Sequence, residues 1–438
     1  MKSSKTRWVV VAILFVFMLL HQTDKLLINS LGTQIKGEWH LTDTQWGLIA
    51  TGALIVGSIF YPIWGYLYDR YARSKLLALA SFIWGATTWI SAIAPSYHTF
   101  LASRASTGID DSSYPGIYSL IADYFSPEMR GKIYGLLQLT QPIGFLIGMI
   151  LGLMVADAFG WRNLFYVTGA LGILLSVVIF FGVKDVPRGQ SEPEMQKLEG
   201  ITNYRFEWSK VKDVLKLPSL WFMYLQGFFG VFPWNTITAF IILYLAEERG
   251  YDGGTTMLIL APTIIVMAIG YPFGGAVGDY FFKKSPRGRL LTAMVGVLLG
   301  AILLAITLNV PYDQPLTFAL LMGLAALFIP VASPNVTSTV NDVTLPEIRS
   351  TAMSIQYFIE SSGAALAPTI AGVISDSLRA ASNPSPIGTS ILIICTSTWI
   401  LCAFFFYFAS RIITKDIHQL REFMQIRAKD EIAHLKAN

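Results

Sequence analysis

His21, Asp24 and Lys25 stand at positions i, i+3 and i+4 of an otherwise apolar run. A helix would bring all three onto one face, with Asn29 extending the stripe. Arg104, Thr107, Asp111, Tyr114 and Tyr118 repeat the pattern further along, and Glu360 interrupts a third apolar run. An ionised side chain at the centre of a membrane helix costs about 2.5–3.5 kcal/mol on insertion scales, so charges kept there need a reason. The chemistry they offer is proton exchange and ion recognition. A buried carboxyl holds its proton more tightly, and a cation brought beside it drives the proton off. A cation exposed in one conformation and paired in another would make proton affinity alternate with conformation. The competing explanation is a structural ion pair, Asp24 or Asp111 with Arg104, tying two helices together. Spacing favours Asp111, because Asp110 points about 120° away from Arg104 on an ideal helix; which carboxyl takes the proton stays open. Helical rise puts Asp24, Lys25 and Arg104 at similar depth in the outer half, with Asp111 and Glu360 nearer the midplane.

Positioning such groups falls to long apolar helices. The chain of 438 residues is 53% hydrophobic and only 14% charged, with a mean hydropathy of +0.53. Soluble domains carry about 25% charged residues, so most of this chain is solvated by lipid. Its apolar runs are continuous, which excludes a β-barrel. Runs of the roughly 20 residues a span requires fall at 8–31, 44–68, 76–94, 99–124, 131–156, 161–183, 217–246, 254–278, 289–309, 315–341, 350–376 and 387–413. With both ends on one side, only Lys36, Arg162, Arg249 and Arg379 of the 32 Lys and Arg residues fall on the other side, and Lys25 and Arg104 fall inside spans. That asymmetry predicts cytoplasmic termini and a multi-pass protein of the cytoplasmic membrane. The net charge of +4 thus reports topology, and no nucleic-acid partner is expected. Lys2, Lys5 and Arg7 before an apolar run imitate a signal peptide, but no small-residue cleavage site follows, and the run reads as the first helix. Cys395 and Cys402 lie seven apart in the last span and read as packing residues.

The chain is built twice from one unit. Gly65-Tyr66-Leu67-Tyr68-Asp69-Arg70-Tyr71-Ala72-Arg73-Ser74-Lys75 returns as Gly275-Ala276-Val277-Gly278-Asp279 with a basic cluster behind it. Tyr61-Pro62 returns as Tyr271-Pro272, Asp123 as Asp342, and Ser126-Pro127-Glu128-Met129-Arg130 as Leu345-Pro346-Glu347-Ile348-Arg349. An internal repeat of this kind marks two membrane bundles related by pseudo-symmetry. The expected organisation is a bundle over 1–183, a linker over 184–216 with a short amphipathic helix from Trp208 to Leu217, a second bundle over 217–413 and a charged tail over 414–438. Gln141 and Glu360 hold equivalent positions, an amide in one half and an acid in the other. Tyr61, Trp64, Gln138, Trp234, Asn235, Asn335, Gln356 and Tyr357 are read as lining a central space with the charges. Phe232-Pro233-Trp234-Asn235 reads as a helix break in its wall, or a hinge.

These residues carry a family resemblance. Residues 65–75, after the second span, resemble motif A of the major facilitator superfamily, Gly-x-Leu-x-Asp-Arg-x-Gly-Arg-Lys/Arg, and the likeness extends over essentially the whole chain. Ala72 replaces the usual glycine, Ser74 a basic residue, and the second copy has Tyr280 in place of its arginine. Within the superfamily the chain looks most like the Spinster-related branch. Arg104-Ala105-Ser106-Thr107-Gly108-Ile109-Asp110-Asp111-Ser112-Ser113-Tyr114 resembles that branch's Arg-x-x-x-Gly-x-Gly-Glu-Ala-Ser-Tyr, with Asp110 for the glycine and Asp111 for the glutamate. Gln141-Pro142-Ile143-Gly144 resembles its helix-5 pattern, and Asp24-Lys25 stands where an Asp-Arg pair is common. The resemblance implies an all-α fold of twelve transmembrane helices in two six-helix bundles. It also implies that Asp69, Arg70, Asp123 and Arg130, with Asp279, Asp342 and Arg349 opposite, latch the halves at the cytoplasmic side when the cavity opens outward. For Arg73, Lys75 and the basic cluster after Phe282, plain topology-setting surface charge fits as well.

The expected activity is secondary active transport by alternating access, coupled to protons, with Asp24, Lys25, Arg104, Asp111, Tyr114, Gln141, Trp234, Asn235, Asn335, Tyr357 and Glu360 serving substrate and coupling. The Spinster likeness implies a lysophospholipid-like or sphingoid amphiphile; the Lys25 and Arg104 cations point equally to a small organic anion. A lipid carrier needs a lateral apolar opening, an anion carrier a sealed polar cavity. The alternative class is a transport-like receptor that binds a solute without moving it. No phosphate-binding loop, nucleophile–base motif or metal-ligand spacing occurs in the chain, so no enzyme, cofactor or metal is expected, and the chain is expected to act as a monomer.

Overall fold

The computed structural model describes residues 4–41, 43–152, 159–193 and 216–437, and among them there is no strand. Among the described residues twelve long helical rods stand out, beside a short helix at Gly32–Trp39: α1 (Ser4–Ser30), α2 (Asp43–Arg70), α3 (Arg73–Ile93), α4 (97–124), α5 (127–150), α6 (Trp161–Gly182), α7 (Pro218–Leu243), α8 (Gly253–Phe282), α9 (Gly288–Leu308), α10 (315–342), α11 (Arg349–Ala380) and α12 (Pro386–Ala437). Ten are long and apolar enough to cross a membrane. The others are α2 and α4, the second of which carries Arg104, Asp110 and Asp111. The fold is the expected one: all-α, twelve spans, two six-helix bundles.

Local chemistry sets the helix ends. Ser96 and Thr99 form a reciprocal capping box at the start of α4. Asp252 accepts the Thr255 amide at 2.7 Å to open α8. Proline occupies the first turn of α5, α7 and α10, where its missing N–H costs nothing.

α4 is not one regular helix. It runs as Tyr97–Ser106, Gly108–Asp111 and Tyr114–Tyr124, with irregular turns at Thr107 and at Ser112–Ser113. Between the turns Gly108 presses against α2 so closely that a Cβ there would lie 2.2 Å from the Ala53 carbonyl oxygen. The expected break at Phe232–Asn235 is absent: α7 continues through Pro233, and its irregular turn comes later, at Tyr244–Glu248. A proline inside a membrane helix is tolerated when neighbours satisfy the carbonyl it frees.

The stretch 414–438 does not begin a separate segment. α12 runs to Ala437 because residues 389–437 contain neither glycine nor proline to stop it. Arg427 on this extension pairs at 2.8 Å with the buried Glu347 between α10 and α11. The amphipathic helix expected from Trp208 lies outside the described residues, apart from its last two positions.

Candidate functional site

A cavity of about 490 Å³ lies between the halves, walled chiefly by α1, α2, α4 and α5 on one side and α7, α8, α10 and α11 on the other. That is the size of a site for a drug-sized molecule. Its charged wall is built on α1 and α4. Lys25 Nζ lies 3.0 Å from Asp111 Oδ2. His21 Nε2 lies 2.8 Å from Asp110 Oδ2 and 3.5 Å from Asp111 Oδ1. The other ring nitrogen of His21 meets the Tyr114 hydroxyl at 2.8 Å, and Gln22 donates to that hydroxyl at 3.0 Å. One histidine thus binds both carboxyls that the sequence left open, and Asp110 is buried behind it. The ligating atoms of His21, Asp110 and Asp111 lie within 4.8 Å of one another, a metal-like grouping that no spacing in the sequence announced. The Lys25 ammonium already supplies that group with a cation.

Asp24 and Arg104 sit elsewhere. The Asp24 carboxylate accepts from Trp84 at 3.1 Å, Thr88 at 3.0 Å and Thr168 at 2.5 Å, all behind α1. Arg104 comes within 3.8 Å of it and rests over the Phe165 ring. Neither residue borders the cavity. Arg104 therefore pairs with Asp24, one of the two partners the sequence offered, and not with Asp111, the α4 carboxyl that spacing favoured over Asp110.

On the second half Glu360 borders the cavity and accepts from Gln356 Nε2 at 2.7 Å. Tyr357 lies nearly parallel to Tyr61 of the other half, with ring centroids 5.5 Å apart, and also stacks on Tyr118 at 6.5 Å. Tyr114, Gln138, Gln141, Trp234 and Asn235 all border the space. Asn335 does not; it is buried between α8 and α10, donating to the Gly274 carbonyl at 3.0 Å. Trp64 is likewise packed away, donating to Ile109. The Asn29 side chain is outside the described residues. Gln22 and Gln226 also line the cavity; Gln226 is a lone amide in an apolar run, and Gln22 lies within the polar stretch His21–Lys25 that should have singled it out.

Beyond the tyrosine stack, the motif A end of the molecule is locked. Asp69 accepts the amides of Ser350 and Thr351 at the start of α11, at 3.1 and 2.7 Å. Asp279 does the same for Gly131 and Lys132 of α5, at 3.1 and 2.8 Å. Each half thus places a carboxylate on a helix N-terminus of the other, where the helix dipole favours it. Arg73 joins Asp69 to Asp123, and Arg289 joins Asp279 to Asp342. Arg130 reaches Asp342 at 2.7 Å and Arg349 reaches Asp123 at 3.5 Å, both across the halves. Ser119 and Ser350 meet here across the halves at 2.6 Å, and Gln138 donates to Thr337 across them at 3.2 Å at the cavity's near edge.

Two arginines read as compatible with surface charge are therefore core groups: Arg73 is 2% exposed and Arg289 1%. Arg70, read from motif A, stands outside the cluster, exposed and bonded to the Tyr66 hydroxyl. The linker adds a residue that no motif signalled. Glu192 accepts from Arg130 of one half and Arg349 of the other. Burial alone would raise its carboxyl, but the two guanidiniums outweigh burial and hold it at about 2.

The sequence profile of the Major Facilitator Superfamily matches residues 13–368. The chain is 26% identical to Protein spinster homolog 1 of Xenopus tropicalis over 444 residues, covering 95% of this chain and 83% of the relative. It is 26% identical to the sphingosine-1-phosphate transporter SPNS2 of Danio rerio, covering 88% and 81%. Among solved structures, a bacterial homolog of the human lysosomal transporter Spinster, inward-facing and unoccupied, superposes with a TM-score of 0.62 at 20% identity, covering 94% of this chain and 99% of that one.

Proposed function

The chain belongs to the Major Facilitator Superfamily, and as a Spinster-like multi-pass transporter, not an enzyme, we propose that it moves a single-tailed amphiphile by proton-coupled alternating access. The observation that carries this reading is a cavity bordered by Lys25, Asp111 and Glu360 and closed at one end by buried charge. Bundles over 1–183 and 217–413 rock about this site, joined by the linker over 184–216. The motif A end is the cytoplasmic end, by the excess of Lys and Arg there, and both chain termini lie on that side in the cytoplasmic membrane. The conformation described is then outward-facing, with Asp69, Asp123, Arg130, Asp279, Asp342 and Arg349 as the closed gate.

Asp111 and Glu360 are the carboxyls available for coupling from the cavity, with Lys25 as the cation that competes with a proton at Asp111. Asp24 and Arg104 act by holding α1 against α3, α4 and α6. Tyr114, Gln141, Trp234, Asn235 and Tyr357 contact substrate; Asn335 supports the wall they stand on. The amphiphile is favoured over the organic anion because one of the two cationic anchors is packed away and the other is neutralised by Asp111. Amide and aromatic side chains beside Met18, Leu26 and Val231 suit a polar head with an apolar tail.

Proteoliposomes carrying the purified chain and an internal pH dye test this. Lysophospholipids or sphingoid bases added outside are expected to trigger a pH change absent from protein-free vesicles. A pH change with small organic anions alone overturns the substrate class, and silence with both panels from folded protein overturns proton coupling.

A further inference from the structure

We infer that Glu360, with Tyr61, Tyr118 and Tyr357, forms a subsite for an organic ammonium group on the ligand. This rests on the transporter reading of the same cavity, and it adds the sign of charge that the ligand's head must carry.

Glu360 differs from the other carboxylates of the transmembrane interior. Asp24 faces Arg104, Asp111 faces Lys25 and Asp110 faces His21. Among the described residues, no lysine, arginine or histidine lies within ion-pair distance of Glu360; its hydrogen-bond donor is the neutral amide of Gln356. A carboxylate held in an apolar protein without a counter-cation is costly, so either a proton or an arriving cation must neutralise it.

The surroundings favour an arriving cation of a particular kind. Tyr357 precedes Glu360 by three positions, placing both on one face of α11. The Tyr357 ring lies within 6° of parallel to Tyr61 and 17° to Tyr118, and all three tyrosines border the cavity together with Glu360. Because these rings stack on one another, what they set beside Glu360 is an aromatic wall of low polarity, which suits an organic ammonium ion with diffuse, weakly hydrated charge better than a strongly hydrated inorganic cation. The charge around the cavity agrees. Lys25 is cancelled by Asp111 and Arg104 stands outside the cavity, so Glu360 leaves the lining one negative charge in surplus.

The site is also built to hold its carboxylate still. A Cβ on Gly227 would fall 2.0 Å from Gln356 Nε2 and 3.1 Å from Glu360 Cγ. Only glycine lets α7 approach closely enough to back this amide–carboxylate pair.

The test uses the purified full chain in lipid nanodiscs and two water-soluble aromatic probes of opposite charge, phenyltrimethylammonium and benzenesulfonate. Binding is read by calorimetry and by quenching of Trp234 and Trp399, which border the cavity. The wild type is expected to prefer phenyltrimethylammonium. Glu360→Gln is expected to weaken that probe about tenfold, the loss of one charge-assisted contact, without weakening benzenesulfonate. Glu360→Asp keeps the preference, and Tyr357→Leu reduces it. Equal or tighter binding of benzenesulfonate by the wild type overturns the inference. So does unchanged ammonium affinity in a Glu360→Gln protein that melts like the wild type. Flux in proteoliposomes reports separately: charge-selective binding without flux sinks the transporter reading and leaves the ammonium subsite standing.

Discussion

Asp111 carries the most specific expectation for a single side chain. It faces the cavity while bound to Lys25 and within reach of His21, so a proton there competes with a cation that is itself half exposed. Asp111→Asn should abolish pH-driven uptake into proteoliposomes while leaving the melting temperature within a few degrees of wild type; an unchanged pH dependence would remove Asp111 from coupling. Glu192 makes the opposite case. Its carboxyl is held at about 2, below the ordinary 4.5, so the stability it lends is complete above about 4.5 and fades only as pH falls toward 2. Breaking a buried pair from one side costs about 3–5 kcal/mol. The melting difference between wild type and Glu192→Ala should therefore be constant from pH 5 to 8 and shrink below about pH 4. A difference that changes within the neutral range would mean the guanidiniums do not control this carboxyl. At this scale the sequence was only half legible. Intramembrane Asp, Lys and Glu announce themselves by their cost, which is how Lys25, Asp111 and Glu360 were found. Partnerships are only narrowed: the sequence left Asp24 and Asp111 open as partners of Arg104, and the structure pairs it with Asp24. Glu192 looked like any polar linker residue, since no local signal records contacts across hundreds of positions.

Helices meet at the closed end through glycine. A Cβ on Gly275 of α8 would lie 2.0 Å from the Gly131 carbonyl oxygen of α5, and one on Gly65 of α2 would lie 2.5 Å from Ser354 Oγ of α11. The first contact is with backbone, which cannot rotate away. Gly275→Leu should therefore wedge the halves apart and shift the equilibrium about tenfold or more toward opening of this end, the scale of a 1–3 kcal/mol overpacking penalty. Ser119 and Ser350 supply the gauge, because their hydroxyl oxygens lie 2.6 Å apart across the halves. The double cysteine replacement Ser119→Cys, Ser350→Cys should cross-link readily in the parent and poorly with Gly275→Leu; equal cross-linking in both would show that the wedge does not act. Helix positions were well legible here, since apolar length and the basic loops fix them, and α2 was expected at 44–68 against an observed Asp43–Arg70. Helices that run on for want of a breaker were harder to see, as the unbroken course of α12 shows. The continuous α7 makes the same point, because proline in lipid does not stop a helix as it does in water.

The whole chain behaves as two units facing each other. A cysteine placed at the exposed Glu422 on the extension of α12 should react with a membrane-impermeant maleimide only from the cytoplasmic side; labelling from outside would invert the proposed topology. The duplication read from Gly65–Lys75 and Gly275–Asp279 is the ground for the proposed division of the chain, and charge asymmetry the ground for its proposed orientation. What neither told is how symmetric the closed end is. Arg73 and Arg289 play one role at the starts of α3 and α9, although they follow Asp69 and Asp279 at different spacings. The exchange of helix caps, Asp69 onto α11 and Asp279 onto α5, is an isologous contact, the kind by which two identical subunits form a closed dimer. The chain is in this sense a dimer fused into one polypeptide, and Glu192, bound to one arginine of each subunit-like half, is among the described residues the piece with no symmetry mate. Halves made as separate polypeptides should find each other through the caps, but only the half that keeps residues 187–193 brings the shared carboxylate with it.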